Sequence, residues 1–362
     1  MALVVTSDCS YLERFRIYMR ILFLLKSHEY SGAESVVLNL MRLLSAEFDT
    51  YYASPDGSIK DVVRKNGQKF IPLRKANLKS VSKVIKQVQP DVIHASDFSM
   101  SVLAAFGTSS IPILSHLHNN PSWIKNKFDL RTIFYKFALK RIHKVVCVSP
   151  AIIGEFAGNA LREKAVVIPN VIDSNKISAS ANQPIQSDIC FVGRLTEQKN
   201  PLFFCSVIKK IKEKDPNIKA VMLGRGELKE QIENYILANE LTTNIKLIGF
   251  KQNPYPYMKG AKVCMMPSKY EGFGLSAAEM LTLGTPVIAA NVGGLKNIVN
   301  DTCGCLMNDY NAAEYALKYF EIVHDSNVYL TKANGATSTS KKFGDFQKFR
   351  DQFVNIYKEI VE

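Results

Sequence analysis

The residues best suited to bind an anion lie in one stretch, residues 270–294. Its loop EGFG contains two glycines, and the following sequence, rich in Ala, Leu, Met and Glu, predicts a helix from about Leu275 to Leu283. A glycine loop that leads into a helix presents free backbone N–H groups and the positive end of the helix dipole, which together suit a phosphate. Glu271 and Glu279 add two carboxylates beside that loop. The stretch therefore predicts an anion site flanked by two placed acids.

Two further groups in this half of the chain follow buried strands. The strand predicted at residues 189–192 ends just before Arg194, and Lys199 lies in the same loop, ahead of a helix. Two cations in that position suit a diphosphate, which Arg binds as a fork and Lys as a point charge. A second strand ends at the turn Gly224-Arg225-Gly226. Because ligands of parallel sheets bind beyond the carboxyl ends of the strands, these loops predict one site for an anionic, sugar-like ligand.

Two histidines take the equivalent positions in the first half. Repeated strand and helix patterns begin with a buried strand from about Ile21 to Leu25 and the turn SGAE, which does not follow the GxGxxG pattern of dinucleotide sites. The strand DVIH ends at His94, and the strand PILSHLH ends at His118. A single histidine is more often structural than functional, but two at strand ends favour a ligand site.

The length and the patterning predict two domains. A chain of 362 residues is long for one hydrophobic core, and the repeated strand and helix units predict two doubly wound parallel sheets. The polar and patternless segment 173–187 is typical of a linker. We therefore expect an N-terminal extension (1–18), a first domain (19–172), a second domain (188–342) and a final amphipathic helix (343–362).

The net charge of +13 is concentrated in the first half of the chain. Nine Lys and Arg but only one acid lie between Lys60 and Lys86, and residues 123–144 mix basic with aromatic side chains. Such a segment can lie in the interface of an anionic membrane, although an ordinary solvated helix face is the more frequent explanation. Nucleic acid is not expected as a partner, because no recognition motif accompanies the charge.

Composition also bounds metal chemistry and location. The seven cysteines show no repeated spacing, and no second pair or His cluster completes a zinc site, so we expect reduced thiols and no metal. No apolar run approaches the roughly 18–20 residues that span a bilayer, and charges interrupt any signal-peptide pattern near the N-terminus. The expected location is the cytoplasm, and a peripheral contact at the inner face of the cell membrane stays open.

Taken together, these motifs resemble the retaining glycosyltransferases of family 4, which have the GT-B fold. The resemblance covers nearly the whole chain from residue 19 onward. It is carried by SGAE, the strands that end in the two histidines, VIPNVID, VGRLTEQKN, LGRGE and EGFGLSAAEMLTLGTPVIA. One departure is Ser31, where the family often has a glycine. The GT-B fold implies two Rossmann-like domains that face a cleft, and a final helix that crosses back to the first domain.

The resemblance implies a role for each site residue. Glu271 would hold hydroxyls of the donor sugar near the anomeric carbon, and His118 would approach that sugar or the departing phosphate from the first domain. Glu279 would accept hydrogen bonds from ribose hydroxyls, and two cations would neutralise the diphosphate in place of a metal. The implied donor-binding set is Gly32, Arg194, Lys199, Gly224, Phe273, Gly274, Leu275 and Glu279. The nucleotide sugar is itself a substrate, so no cofactor is expected.

The function implied by the resemblance is sugar transfer with retention of configuration. The donor would be a nucleoside-diphosphate sugar, with UDP as the first expectation, and the acceptor a hydroxyl of a lipid-linked glycan or polysaccharide, as in bacterial O-antigen or capsule synthesis. A double displacement through Glu271 stays open beside attack on the same face. A nucleotide-sugar epimerase of the GT-B fold and a non-catalytic sugar-nucleotide binding module stay open as alternative functions.

Overall fold

Short runs of Val, Ile, Leu and Phe recur along the chain between polar or glycine-rich turns, and they form the strands of two sheets in the computed structural model, which describes residues 18–362. The strands of the first sheet are β1 (Met19–Leu24), β2 (Phe48–Pro55), β3 (Lys69–Leu73), β4 (Val92–Ser96), β5 (Ile113–Leu117), β6 (Lys144–Cys147) and β7 (Ala165–Val167). All neighbouring strands are parallel, in the order β3-β2-β1-β4-β5-β6-β7.

Helices connect these strands, as parallel pairing requires. They are α1 (Gly32–Leu44), α2 (Ile59–Lys65), α3 (Leu78–Val88), α4 (Asp97–Gly107), α5 (Leu130–Leu139), α6 (Pro150–Glu155) and α7 (Ser174–Ser180). A short 3₁₀ turn at Ser122–Lys125 precedes α5. The central strands β4 and β5 are buried along their whole length, because helices cover both faces of the sheet.

The second sheet repeats the same plan with six strands. They are β8 (Ser187–Val192), β9 (Ala220–Leu223), β10 (Ile245–Gly249), β11 (Ala261–Met266), β12 (Val287–Ala290) and β13 (Gly304–Met307). They are parallel and lie in the order β10-β9-β8-β11-β12-β13. The helices of this half are α8 (Pro201–Lys212), α9 (Lys229–Ala238), α10 (Tyr255–Gly260), α11 (Leu275–Thr282), α12 (Leu295–Ile298), α13 (Ala312–Val323), α14 (Ser326–Ser340) and α15 (Phe346–Val361).

Each sheet reverses its winding direction at one place. In the first sheet this switch point lies between β1 and β4, and in the second it lies between β8 and β11. A crevice forms where the loops after two such strands diverge, and open α/β sheets bind their ligands there. The loops after β1, β4, β8 and β11 are therefore the parts of the chain that this fold leaves free for chemistry.

The last helix returns to the first sheet, as the GT-B fold implies. Helix α15 begins at the cap residue Asp345, whose side chain accepts a hydrogen bond from the Lys348 backbone N–H. Its residues Phe349, Phe353 and Tyr357 recur every four positions and form one buried face against the core around β1 and α1. Burial of each such ring contributes about 1.5–3 kcal/mol, so α15 is an integral part of the first half's core.

One strand boundary differs from the sequence prediction. His94 was expected at the carboxyl end of its strand, but β4 continues to Ser96 and places His94 in mid-strand, fully buried. The prediction was wrong because Ala95 and Ser96 are small enough to continue the strand between two buried faces. His94 therefore lies inside the sheet. The residue that follows the carboxyl end of β4 is Asp97.

The predicted linker contains secondary structure. The polar segment 173–187 contains helix α7, which begins because the Asp173 side chain accepts a hydrogen bond from the Lys176 backbone N–H. Its last residue, Ser187, already belongs to β8. The predicted N-terminal extension lies outside the described residues, except for Tyr18. Within residues 18–362, no helix is long and apolar enough to cross a membrane.

Candidate active site

The two switch points face each other across a narrow cleft. Gly272, in the loop after β11, lies against the backbone of His118, and a β-carbon on Gly272 would come within 1.8 Å of the His118 carbonyl oxygen. Gly32, at the start of α1, lies against the side chain of Leu275 at the start of α11. A third bridge joins Arg225 to Glu29, with 2.9 Å between the guanidinium and the carboxylate. The loops that carry the predicted site residues therefore meet.

The centre of this cleft is an ion pair between Lys199 and Glu271. The Lys199 ammonium donates to the Glu271 carboxylate, and the two side chains are only 13% and 11% exposed. Ser268 donates a longer hydrogen bond of 3.4 Å to the same carboxylate oxygen. Because both charges have lost part of their hydration, removing either partner would leave a poorly hydrated charge without compensation.

Arg194 and Gln198 extend the site toward the first half of the chain. Arg194 donates to the side-chain oxygen of Gln198 at 2.7 Å. The amide nitrogen of Gln198 lies 3.2 Å from two acceptors, the side-chain oxygen of Asn119 and the carbonyl oxygen of Tyr270. Gln198 thus ties the loop after β8 to the loops after β5 and β11. Sequence reasoning missed it, although its place between the two predicted cations was a usable signal.

Helix α11 begins in this cleft with a glycine cap. Gly274 is the N-cap residue at φ 102°, a left-handed conformation that favours glycine, and it has no side chain with which to cap the helix. The first N–H groups of an α-helix lack intrahelical acceptors, so those of α11 are left for another partner. The Phe273 side chain does not contribute, because it is buried against Phe343. The predicted role of residue 273 can therefore involve only its backbone.

Glu279 lies one turn further along α11. The Tyr255 hydroxyl donates to its carboxylate at 3.5 Å, which is a long contact. Burial raises the pKa of Glu279 to about 7, because the ionised carboxylate has lost water and gained only this weak donor. Near neutral pH the side chain therefore changes between a carboxylate that only accepts hydrogen bonds and a carboxyl that also donates one.

His118 reaches the cleft directly after β5. Neither ring nitrogen has a hydrogen-bond partner among the described residues, and burial lowers the pKa of the ring to about 4. His118 is therefore uncharged at neutral pH and can offer one donor and one acceptor. Its ring packs against that of His116 at a tilt of 39°, with 4.0 Å between the centroids.

Asp97 is a second residue that sequence reasoning missed. It follows β4 with a left-handed backbone at φ 66°, which is uncommon for any residue other than glycine. Its carboxylate accepts a hydrogen bond of 3.2 Å from the backbone N–H of His118, and burial raises its pKa. The acid thereby fixes the loop that carries His118. The signal was a carboxylate in the loop that follows a predicted buried strand.

The remaining predicted residue, Gly224, follows β9 and lies beside Gly193. Gly193 begins the loop that carries Arg194, so Gly224 lies beside that loop at the same edge of the second sheet. Across residues 18–362, no cluster of three or more His, Cys, Asp and Glu side chains is arranged to hold a metal ion.

Known protein families and single proteins match this chain over most of its length. Two family models match adjacent parts of it: Glycosyltransferase Family 4 matches residues 30–176, and Glycosyl transferases group 1 matches residues 174–338. An uncharacterized glycosyltransferase of Methanocaldococcus jannaschii is 29% identical over 359 residues, which cover 95% of this chain and 99% of that relative. The UDP-Gal:alpha-D-GlcNAc-diphosphoundecaprenol alpha-1,3-galactosyltransferase of Escherichia coli is 23% identical over 311 residues, 79% of each chain.

Solved structures give the same result for the fold. HepE of Anabaena, in complex with UDP and glucose, superposes with a TM-score of 0.81 at 20% identity, covering 94% of this chain and all of that one. The two facing sheets and the returning helix therefore define a protein of the GT-B fold. Together with the two family models, they support a glycosyltransferase of the group 1 and family 4 type.

Proposed function

We propose that this glycosyltransferase moves a sugar from a nucleoside-diphosphate sugar to a hydroxyl of a lipid-linked glycan or a polysaccharide, with retention at the anomeric carbon and without a metal. UDP is the proposed nucleotide. The E. coli relative is named for a UDP-sugar and a lipid diphosphate acceptor, and the HepE structure contains UDP, both of which support the proposal. The proposed role is one step in the synthesis of a bacterial surface polysaccharide such as O-antigen or capsule.

The observation that carries the proposal is the buried Lys199–Glu271 pair beside the open N-terminus of α11, with His118 across the cleft. A diphosphate in this crevice would meet Arg194, Lys199 and the free N–H groups from Leu275 onward. Gly32 and Gly224 would let the loops after β1 and β9 approach it closely. Glu279 would then face the ribose hydroxyls.

The proposed chemistry uses these groups to stabilise a leaving diphosphate. The bond between the anomeric carbon and the phosphate oxygen breaks, and the acceptor hydroxyl forms the new bond from the same face. Its proton passes to the departing phosphate. Positive charge builds on the sugar ring as this happens, and preorganised charges around the phosphate lower the barrier. Glu271, which is held by Lys199, would bind sugar hydroxyls near the reacting carbon, and neutral His118 would hydrogen-bond the sugar or the departing phosphate.

The first test is a screen of nucleotide sugars by thermal shift, followed by an assay of the best donor for hydrolysis and transfer. A true donor at 100 times its Kd stabilises the protein by about 2.7 kcal/mol. Glu271→Ala should then lose turnover by about a hundredfold or more while the nucleotide still binds.

The anomeric configuration of the product, read by proton NMR, decides between retention and inversion. Activity that survives a chelator supports the absence of a metal, and full loss contradicts it.

Two alternatives are separated by the same assays. A GT-B epimerase would convert the nucleotide sugar with no acceptor present and would release no free nucleotide diphosphate. A non-catalytic binding module would show stabilisation by the donor but no hydrolysis, and Glu271→Ala would change only its affinity. Release of nucleotide diphosphate that increases when acceptor is added would exclude both.

A membrane-bound acceptor is proposed because of one surface of the first half. Helix α5 buries one face and exposes Leu130, Phe134 and Phe137 on the other, next to exposed Phe128. These four residues are called the α5 apolar face. Lys127 and Lys140 lie over the rings of Phe128 and Phe137 at 5.0 and 5.6 Å. Aromatic rings edged with cations match the interface of an anionic bilayer, so we propose a peripheral contact at the cytoplasmic face of the membrane.

A further inference from the structure

A row of buried imidazoles runs through the first sheet from α15 to the cleft. The Tyr357 hydroxyl lies 2.7 Å from Nδ1 of His94, and Nε2 of His94 lies 3.0 Å from Nδ1 of His116. The ring of His116 then packs against that of His118 at a tilt of 39°, with 4.0 Å between centroids. The row connects a residue of the returning helix with the histidine that faces the proposed donor sugar.

Apolar rings enclose this row on both sides. The ring centroid of Phe353 on α15 lies 5.7 Å from that of His94 and 5.2 Å from that of His116. The ring centroid of Phe23 on β1 lies 4.6 Å from that of His94. Both inner histidines are fully buried. Burial holds the pKa of each well below its usual range, so both are neutral and each carries one proton on one nitrogen.

The hydrogen bonds can be oriented from the Tyr357 hydroxyl. Its only partner among the described residues is Nδ1 of His94. If His94 donated, the buried hydroxyl proton would have no acceptor there, which costs free energy. Nε2 of His116 lacks a partner in either orientation, so the reverse orientation leaves one more polar group unpaired than this one does. The hydroxyl therefore donates to Nδ1 of His94, so His94 carries its proton on Nε2 and donates it to Nδ1 of His116. The proton of His116 then lies on Nε2, the nitrogen without a partner among the described residues.

His118 has no hydrogen bond of its own to hold its ring. Both of its ring nitrogens lack a partner among residues 18–362, so its side chain is positioned by packing, and its closest aromatic contact is the ring of His116. Any freedom of the His116 ring is thus passed on to His118. The two hydrogen bonds that start at Tyr357 remove that freedom.

We infer that Tyr357 is a positioning residue, which orients His118 in the cleft through hydrogen bonds to His94 and from His94 to His116. This inference rests on the proposed function for the part played by His118, but the tautomers of the two inner histidines do not depend on it. It gives the returning helix a task in the reaction in addition to its packing.

The tautomers are tested first, on the full-length protein labelled with ¹⁵N-histidine. The chain has six histidines, so long-range ¹H–¹⁵N correlation spectra of the rings can be resolved and assigned with single His→Gln variants. We expect His94 and His116 to be neutral Nε2–H tautomers at pH 7. In Tyr357→Phe the fixed tautomer of His94 should give way to a mixture. An Nδ1–H tautomer of His94 in the unaltered protein, or spectra unchanged in Tyr357→Phe, would overturn the inference.

Kinetics provide the second test, with a matched control. Tyr357→Phe removes one hydroxyl and should lower kcat about threefold to tenfold, with KM for the donor unchanged, as expected for one lost buried hydrogen bond. Tyr135→Phe is the control, because it also loses a buried hydroxyl, bonded at 2.9 Å to Ser115. Ser115 and His116 are neighbours on β5 and point to opposite faces of the sheet. An equal loss of kcat in both variants would contradict the inference.

The two levels of failure can be told apart. If His118→Ala keeps full transfer activity while His94 and His116 show the expected tautomers, the proposed role of His118 fails and the hydrogen-bonded row stands as structure only. If His118→Ala is inactive but Tyr357→Phe matches the control, the positioning role fails. Should Tyr357→Phe not fold, His94→Gln takes its place, with the same loss of kcat expected and with unchanged kcat counting against the inference.

Discussion

At the scale of single residues, the Lys199–Glu271 pair sets both stability and activity. Lys199→Ala leaves a nearly buried carboxylate without its partner, so we expect a loss of about 3 kcal/mol in the free energy of unfolding. The lost cation should also weaken the affinity for a nucleoside diphosphate by at least about tenfold. Urea unfolding measures the first effect, and calorimetric titration measures the second.

The control for this prediction lies in the same two loops. Lys269 pairs with Glu197, but these side chains are 47% and 67% exposed. Exposed ion pairs contribute about 0–1 kcal/mol, so Lys269→Ala should leave both the stability and the nucleotide affinity nearly unchanged. Equal losses in Lys199→Ala and Lys269→Ala would show that burial of the first pair has no energetic consequence.

Glu279 predicts a pH dependence of donor binding. Its pKa of about 7 in the free protein means that the carboxylate is half protonated there. If ribose hydroxyls bind to the ionised form, affinity is complete above pH 7 and falls about tenfold for each pH unit below it. The Kd for UDP-glucose, whose diphosphate does not titrate near neutral pH, should rise about tenfold between pH 8 and pH 6.

Glu279→Gln tests the origin of that slope. The amide does not titrate, so its affinity for UDP-glucose should be lower than that of the unaltered protein at pH 8 and nearly constant down to pH 6. An unaltered slope in Glu279→Gln would assign the pH dependence to another group.

Sequence reasoning at this scale predicted the positions of several charged residues and failed where a strand boundary decided the outcome. Lys199 and Arg194 were placed by a strand end, and Glu271 by a glycine loop that leads into a helix, and both features lie at the same edge of a sheet. His94 and His118 were given the same place, yet two further residues in β4 put His94 in the core. Gln198 was missed because the role of a neutral amide depends on its hydrogen-bond partners, and the sequence does not show which residues these are.

At the scale of elements, the α5 apolar face predicts binding to vesicles. A double variant, Phe134→Ser with Phe137→Ser, removes two exposed rings that do not contribute to the core. We expect its affinity for vesicles of anionic lipid to fall about tenfold or more, because each inserted ring contributes about 1 kcal/mol or more. Sedimentation with vesicles at low salt measures the change.

A surface leucine in the other half supplies the control. Leu237 on α9 is 70% exposed, and Leu237→Ser should leave vesicle binding unchanged. Failure of the unaltered protein to sediment with anionic vesicles would remove the membrane from the proposed function.

The sequence alone predicted the composition of this surface, since basic and aromatic residues were evident at 123–144. Which face of α5 the sheet would cover was not readable, because that depends on residues far away in the chain.

At the scale of the whole molecule, Gly272 controls how closely the two sheets approach. A β-carbon there would strike the His118 carbonyl oxygen, so Gly272→Ala should hold the cleft slightly open. We expect transfer to fall about a hundredfold, since a displacement of about 1 Å is enough for such a loss. The nucleotide affinity should change less than tenfold, because the two cations proposed to bind the diphosphate, Arg194 and Lys199, both lie on the second half. Transfer kinetics and calorimetric titration measure these two effects.

Gly154 is the matched position for this experiment. It lies in α6 and a β-carbon there would meet no atom within 4 Å, so Gly154→Ala should keep full activity. Normal transfer in Gly272→Ala would mean that the arrangement seen here is not the one in which transfer takes place.

Sequence patterns had predicted two sheets and a cleft, but not which loops touch, because contacts between distant loops leave no local period in a sequence.

The return of α15 to the first sheet has a consequence for folding during synthesis on the ribosome. Tyr357 meets His94 across 263 positions of sequence, so the strands around β1 leave the ribosome long before the helix that covers them. During that interval Phe23, His94 and His116 lack one side of their packing. We therefore expect the second half to complete its native core before the first half does, although the second half is synthesised later. Contacts of such long sequence separation also slow refolding.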